Sequence, residues 1–165
     1  MGWVFEFDAP QICHGVWMRK LLTILCIAAV LLFESTEGWS ADFQKGLDAA
    51  VRGDYAIALR EWNPLAEQGN AAAQFQLGWM YYNGLGIPEN VKESVKWYKR
   101  AAEKGNTNAQ YNLGVIYDNG YGVPEDDQEA VTWFRRAAEQ GETKAQFNLA
   151  VMYENGWGVP EDDQE

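Results

Sequence analysis

The sequence predicts an all-α solenoid: three 36-residue helical units behind a leading helix. Three observations carry this. Ala73-Gln74, Ala109-Gln110 and Ala145-Gln146 fall 36 positions apart, and Gly69/Gly105/Gly141, Tyr81/Tyr117/Tyr153, Gly84/Gly120/Gly156 and Pro88/Pro124/Pro160 keep the same step. No insertion separates the copies. Within a copy the apolar residues recur at spacings of three and four, the mark of a helix face. A period of roughly 20–50 residues means stacked units, because one such unit cannot bury its apolar face alone.

The front of the chain reads as an address label. Arg19 and Lys20 precede an uncharged, largely apolar run of 13 residues, Leu21 to Phe33, and Gly38-Trp39-Ser40 supplies a small-x-small triplet. That layout predicts a signal peptide over 18–40, cut after Ser40, and a periplasmic or secreted product. A membrane anchor would need roughly 20 apolar residues. Thr23-Ile24-Leu25 before Cys26 lacks the small residue of a lipoprotein cleavage site. Residues 1–17 precede a signal that is complete from Met18, and are read as an upstream mis-start.

Cleavage after Ser40 would remove Cys13, Cys26 and His14, the chain's only cysteines and histidine. The remainder carries 11 Lys+Arg against 20 Asp+Glu, a net charge of −9. That balance argues against nucleic acid, whose binding rests on neutralised phosphates, and against anionic lipid surfaces. No stable membrane insertion is expected after cleavage.

Residues 41–53 are predicted to form the leading helix, with Phe43, Leu47 and Val51 covering the first unit. The units are expected at 54–89, 90–125 and 126–161. In the second, Val91, Ser94, Val95, Tyr98, Ala101 and Ala102 mark the first helix, which ends near Gly105. Asn90 with Glu93, and Asp126 with Glu129, have capping-box spacing. Thr107 with Gln110, and Thr143 with Gln146, predict a cap on each second helix. Ala109, Leu113, Ile116 and Tyr117 form its inner stripe, and Asn119-Gly120 stops it. Mid-helix Gly78 and Gly114 cost about 1 kcal/mol each against alanine, which a tight crossing would justify. Ala150 in the third copy suggests that the crossing tolerates a methyl.

Glu161-Asp162-Asp163-Gln164-Glu165 restates Glu125 to Glu129. Residues 162–165 are therefore read as the start of a truncated fourth unit, leaving Phe147, Met152, Tyr153 and Trp157 without a covering layer.

The repeated phrases Ala-Gln-x-x-Leu-Gly-x-x-Tyr-x-x-Gly-x-Gly-Val-Pro and Ala-Val-x-Trp-Phe-x-x-Ala-Ala-x-x-Gly resemble the Sel1-like repeat, a relative of tetratricopeptide arrays. The resemblance covers about Gly53 to Glu165. It implies a right-handed superhelical α/α solenoid that acts as a protein–protein interaction adaptor or scaffold. In a tetratricopeptide-like array, residues of the first helix of each pair line the groove. A disulfide-rich branch of the family is linked to β-lactam binding, but its cysteines are missing here, so that link does not carry over.

Chemistry that the residues suggest has plainer explanations. The carboxylate clusters recur at helix starts, where they offset the helix dipole, so a hydrolase dyad ranks last. Asp118 to Glu129 has the length of a calcium loop, yet Gly120 and Gly122 stand where side-chain oxygens are needed. The Gly-x-Gly pairs follow no strand, as a phosphate loop would require. No catalytic residue, metal or cofactor is expected.

The expected function is a non-enzymatic adaptor of the bacterial cell envelope binding a protein partner. The alternative is a cell-wall glycan or peptidoglycan module using Asn119, Tyr121, Asn155 and Trp157. Positions that differ between copies are the candidate contacts: Trp79, Tyr82, Asp118, Tyr121, Glu154 and Trp157, and on the first helices Lys92, Lys96, Lys99, Thr132 and Arg135. Trp79, Tyr121 and Trp157 are the expected anchors.

Overall fold

The computed structural model describes residues 41–158. The expected mis-start at 1–17, the signal at 18–40 and the fourth-unit opening at 162–165 lie outside the described residues. Within them the chain is helical and contains no strand. Helix α1 covers 41–51. Three pairs follow: α2 (Tyr55–Glu67) with α3 (Ala71–Asn83), α4 (Val91–Glu103) with α5 (Thr107–Asp118), and α6 (Asp127–Glu139) with α7 (Thr143–Asn155). From α2 onward each helix packs on the next, and α5 also touches α7.

Local chemistry sets the helix boundaries. Asn90 Oδ1 accepts from Glu93 N at 3.1 Å, and Asp126 Oδ1 from Glu129 N at 3.0 Å. The reciprocal half of the box does not form. The N–H of Asn90 and of Asp126 instead donates to the carbonyls of Tyr81 and Tyr117, at 2.8 and 3.0 Å, which ties each unit to the one before. The second helices are capped one residue earlier than the threonines suggested. Asn70, Asn106 and Glu142 are their N-caps, accepting from Ala73, Ala109 and Lys144 N. Thr107 and Thr143 are the first helical residues. The positive φ of Gly105 (87°) and Gly141 (90°) turns the chain so that the next residue is extended, as a cap must be.

The Ala-Gln dipeptide has two tasks. Ala73, Ala109 and Ala145 are fully buried. Each glutamine reaches back eight residues to the end of the preceding helix: Gln74 Nε2 donates to Ala66 O, Gln110 to Ala102 O and Gln146 to Ala138 O, at 2.9, 3.0 and 3.2 Å. Gln110 Oε1 also accepts from Gln140 Nε2 at 2.6 Å, and Gln140 Oε1 from Thr107 Oγ1 at 3.0 Å, linking the second pair to the third.

Between units the contact is a ring on a glycine. Trp62 lies over Gly46 of α1, Tyr98 over Gly78 and Phe134 over Gly114. A Cβ on Gly78 or Gly114 would stand 2.5 Å from the ring. Tight crossing is thus the reason for both glycines. Ala150 is exposed, so it gives no measure of what that contact tolerates.

Two packing expectations are corrected. Phe43 and Leu47 of α1 pack on the core, and Trp62 Nε1 donates to Phe43 O at 3.2 Å, but Val51 is 88% exposed, and Ala50 packs in its stead. Met152 is buried in the third cluster, beneath its own pair, whereas Phe147, Tyr153 and Trp157 are exposed as expected.

Replacing Gln110 by alanine removes its buried bond to Ala102 O, which keeps only the Gly105 N–H, and the part-buried bond from the Gln140 amide. A loss of about 1–2 kcal/mol is expected in urea unfolding. Gln146→Ala, at an exposed copy of the same bond, is expected to cost less than about 1 kcal/mol. Equal losses at both sites would show that burial does not set the value of this bond.

Candidate functional site

The second helices carry more than one apolar face. Ala109, Leu113 and Ile116 point into the core, while Phe75, Trp79 and Tyr82 form another stripe on α3 at helical spacing. Across from it α5 presents Asn108, Tyr111, Asn112 and Val115. Between them runs a groove of about 400 Å³, floored by Tyr98 and Ile116, with Asn83 at its side and Glu142 and Lys144 at the start of α7. Seven residues of helix rise about 10 Å, the span of about three residues of extended chain.

The walls are aromatic and amide. Burial pushes the Tyr98 phenol well up, while the neighbouring Asn112 and Ser94 side chains pull the other way. Burial also raises the Tyr82 phenol, with Tyr121 and Glu89 adding to it. Lys144 Nζ stands 6.0 Å from the centre of the Tyr111 ring, and the Glu142 carboxylate is held by its capping role. A second hollow of about 350 Å³ lies between α1, α2 and α3, lined by Leu47, Ala50, Val51, Trp62, Phe75, Gln76 and Trp79. Phe75 and Trp79 are shared by both hollows.

Of the eleven sequence candidates the groove takes two, Trp79 and Tyr82. Tyr121 is exposed and close enough to Tyr82 to raise its pKa, but it lines neither hollow. Glu154 and Trp157 are exposed near the end of α7. Asp118 is half-buried, its carboxyl pushed up by desolvation and then by Asp127 and Glu125.

The first-helix candidates lie elsewhere, and local contacts account for most of them. Lys92 is exposed. Lys99 sits 5.3 Å from the Tyr117 ring centre, and a hydrogen bond to that hydroxyl raises its pKa against desolvation. Arg135 makes the equivalent contact one unit on, its guanidinium 2.8 Å from the Tyr153 hydroxyl. Thr132 Oγ1 donates to Gln128 O at 2.9 Å. Lys96 pairs with Glu93 at 2.6 Å. In the next unit, where Thr132 replaces that lysine, Glu129 accepts from Trp133 Nε1 at 2.9 Å, while buried Trp97 Nε1 has no partner. None of the first-helix candidates lines this hollow: α3 and α5 line it, apart from Tyr98 and Glu142 and Lys144 at the α7 entrance. Arg100 and Arg136 stack on Trp97 and Trp133, at 4.5 and 4.7 Å, which covers the first-helix face further.

Sequence reasoning missed Phe75, Tyr111, Asn108 and Asn112. An available signal was the aromatic at 75, 111 and 147 in every copy, off the inner stripe yet four residues before the variable position 79/115/151. Asn119 and Asn155, assigned to a glycan, donate their amides to Val115 O and Val151 O at 2.9 and 2.7 Å. Among the described residues no group of three or more His, Cys, Asp or Glu could hold a metal ion, and no helix is long and apolar enough to cross a membrane.

The family described as Sel1 repeat matches residues 71–106, 107–142 and 143–165. Its frame opens at the second helix of each pair, a choice of phase within one period. A Sel1 repeat protein from Oxalobacter formigenes is 34% identical, over 72% of this chain and 49% of that one, with a TM-score of 0.69. A protective antigen present in uropathogenic Escherichia coli strains, displaying an SLR fold, is 38% identical over 78% of this chain and 29% of that one, also at 0.69. The chain thus spans half or less of the length of these two relatives. Cysteine rich protein B of Helicobacter pylori shares the fold, at 17% identity and a TM-score of 0.55. No protein of curated function matches.

Lys96→Thr should release Glu93 to accept from Trp97 Nε1, raising stability by about 1 kcal/mol. The check is urea unfolding with the Trp97 indole N–H shift followed by NMR; an unchanged shift rejects the exchange of partners. Asp118 supplies a pH test. Its folded pKa is raised, so its favourable contribution is full below the unfolded value, about 4, and is lost as pH rises through the folded value. Asp118→Asn should therefore raise the unfolding midpoint at pH 7, and the gain should shrink toward pH 4. A gain that is the same at both pH values would remove the carboxylate as its cause.

Proposed function

The chain belongs to the Sel1 repeat family, and from that premise we propose that it is a non-enzymatic adaptor that binds a segment of a partner protein in the groove between α3 and α5. Sel1 repeat proteins generally mediate protein–protein interaction, and the carrying observation is the groove itself. It offers Phe75, Trp79, Tyr82 and Tyr111 for apolar contact, with Asn108 and Asn112 beside them for backbone hydrogen bonds. Aromatic anchors in a partly desolvated pocket are where binding energy concentrates. A two-turn groove suits a short extended segment better than a broad protein face. The amino-terminal sequence supports placing the adaptor in the bacterial envelope, after cleavage at Ser40.

The test is cross-linking of tagged protein in the living bacterium, followed by identification of what is captured. A discrete envelope protein is expected, with binding weakened by about 2 kcal/mol or more, roughly 30-fold, in Trp79→Ala. Tyr121→Ala and Trp157→Ala, outside the groove, should retain it. Retention by Trp79→Ala together with Tyr111→Ala rules out the groove. Binding of purified muropeptides, lost with the same two changes, would move the reading to a glycan.

A further inference from the structure

Trp62, Tyr98 and Phe134 each cover a glycine of the helix before, and one turn earlier on their own helices stand Ala58, Ser94 and Ala130. All six are buried, Ser94 completely. Alanine and phenylalanine satisfy this packing in the third pair. The middle pair adds two hydroxyls at the same positions, and its ring is the one that floors the groove. Ser94 Oγ has no hydrogen-bond partner among the described residues. An unpaired buried hydroxyl destabilises a fold, so packing gives no reason for it. The Ser94 and Asn112 side chains neighbour the Tyr98 phenol, which burial holds in its protonated, donating form. Three neutral polar groups thus gather at the floor. The charged residues lining the groove, Glu142 and Lys144, stand at its α7 entrance. One caps its helix and the other lies against the Tyr111 ring.

We propose, on the reading that a partner segment lies in this groove, that the segment sets a carboxamide side chain, glutamine or asparagine, on the Tyr98 hydroxyl, with Asn112 and Ser94 completing the polar floor. The choice follows from charge and pairing. A carboxylate or an ammonium group would be buried there with no opposite charge at the floor, which is far less favourable than burying a neutral amide. A hydrocarbon side chain would displace water from the Tyr98 hydroxyl and the Asn112 amide and leave both unpaired. A carboxamide offers a carbonyl that accepts from the Tyr98 O–H and an NH2 that donates to the Asn112 oxygen. The aromatic walls, Phe75, Trp79 and Tyr111, pack against its methylenes. Ser94, behind the phenol, is a positioning residue. The next floor along the array, Phe134 with Ala130, has no hydroxyl and would make no such selection.

The experiment titrates the full chain with acetylated, amidated peptides Ala-Leu-X-Leu-Ala, where X is Gln, Glu, Lys or Leu, and follows the Trp79 indole N–H resonance. The Gln peptide should bind about tenfold more tightly than the Leu peptide, the effect of one hydrogen bond. Tyr98→Phe and Ser94→Ala give the middle pair what the third already carries, so both should fold with an undiminished melting temperature. Tyr98→Phe should abolish the preference for Gln and Ser94→Ala should reduce it, with affinity for the Leu peptide unchanged in both. A preference that survives Tyr98→Phe overturns the proposal, as does tightest binding by the Glu or the Lys peptide. Equal affinity for Gln and Leu peptides, both weakened by Trp79→Ala, removes the carboxamide and leaves the groove in place. No response of Trp79 to any peptide removes the groove and the carboxamide with it. Displacement of the Gln peptide by free N-acetylglucosamine would assign the amide to a sugar and overturn a protein side chain as its source.

Discussion

The last carbonyls of a helix have no i+4 partner within that helix, and in each first helix here one of them, on Ala66, Ala102 or Ala138, accepts instead from the N–H of the glycine three residues on. The glutamine of the next helix adds a second bond to that same carbonyl, from eight residues away. The bond fixes the distance and rotation of the two helices in a pair. The alanine before each glutamine has no side chain to hold the helices apart, so backbone approach and side-chain bond are set by one dipeptide. Everything that joins one pair to the next is built on this unit. Tyr81 and Tyr117 can offer their carbonyls to the following N-caps only because α3 and α5 are already held at a defined angle.

The stacking contact depends on the same rigidity. Burying a ring such as Phe134 is worth on the order of 2–3 kcal/mol, against about 1 kcal/mol for a mid-helix glycine. The exchange is favourable only if the ring always arrives at the same place. Lys99 and Arg135 contribute by pinning Tyr117 and Tyr153 from the neighbouring first helix. These two cations differ in kind between copies and were therefore read as contacts for a partner. Their shared role is internal: either residue can reach a phenol hydroxyl. Variation between copies signals recognition only where no contact within the chain explains it.

The period, the helix pairs and most of the core were legible because they rest on spacing, which the sequence displays directly. The Ala109, Leu113 and Ile116 stripe is an example. The caps were misplaced by one residue because Thr107 and Asn106 are both good cap formers, and only the backbone turn at Gly105 decides between them. Val51 was misread because a helical stripe tells which residues share a face but not where the neighbouring helix ends. The groove was legible in part. Trp79 and Tyr82 stood out by varying between copies, while Phe75 and Tyr111 looked like core because an aromatic occupies that position every time. The structure shows that they are core on one edge and groove wall on the other, a division that one-dimensional spacing does not contain.

That division explains why the proposed binding groove lies on the second helices. A first helix in this array is covered on one side by its own partner and on another by the preceding pair, and an arginine lies over its tryptophan. Few of its apolar side chains remain accessible. A second helix meets its own first helix and the following one, yet its stripe at 75, 79 and 82 stays partly open because α5 stands across from it rather than on it. The groove is the space left when Tyr98 reaches under that stripe to cover Gly78. Its floor is thus the ring that holds α3 to α4, and any ligand lying in it would rest on a structural contact. A groove built in this way keeps its shape without a ligand, so little of the binding energy is spent on ordering its walls.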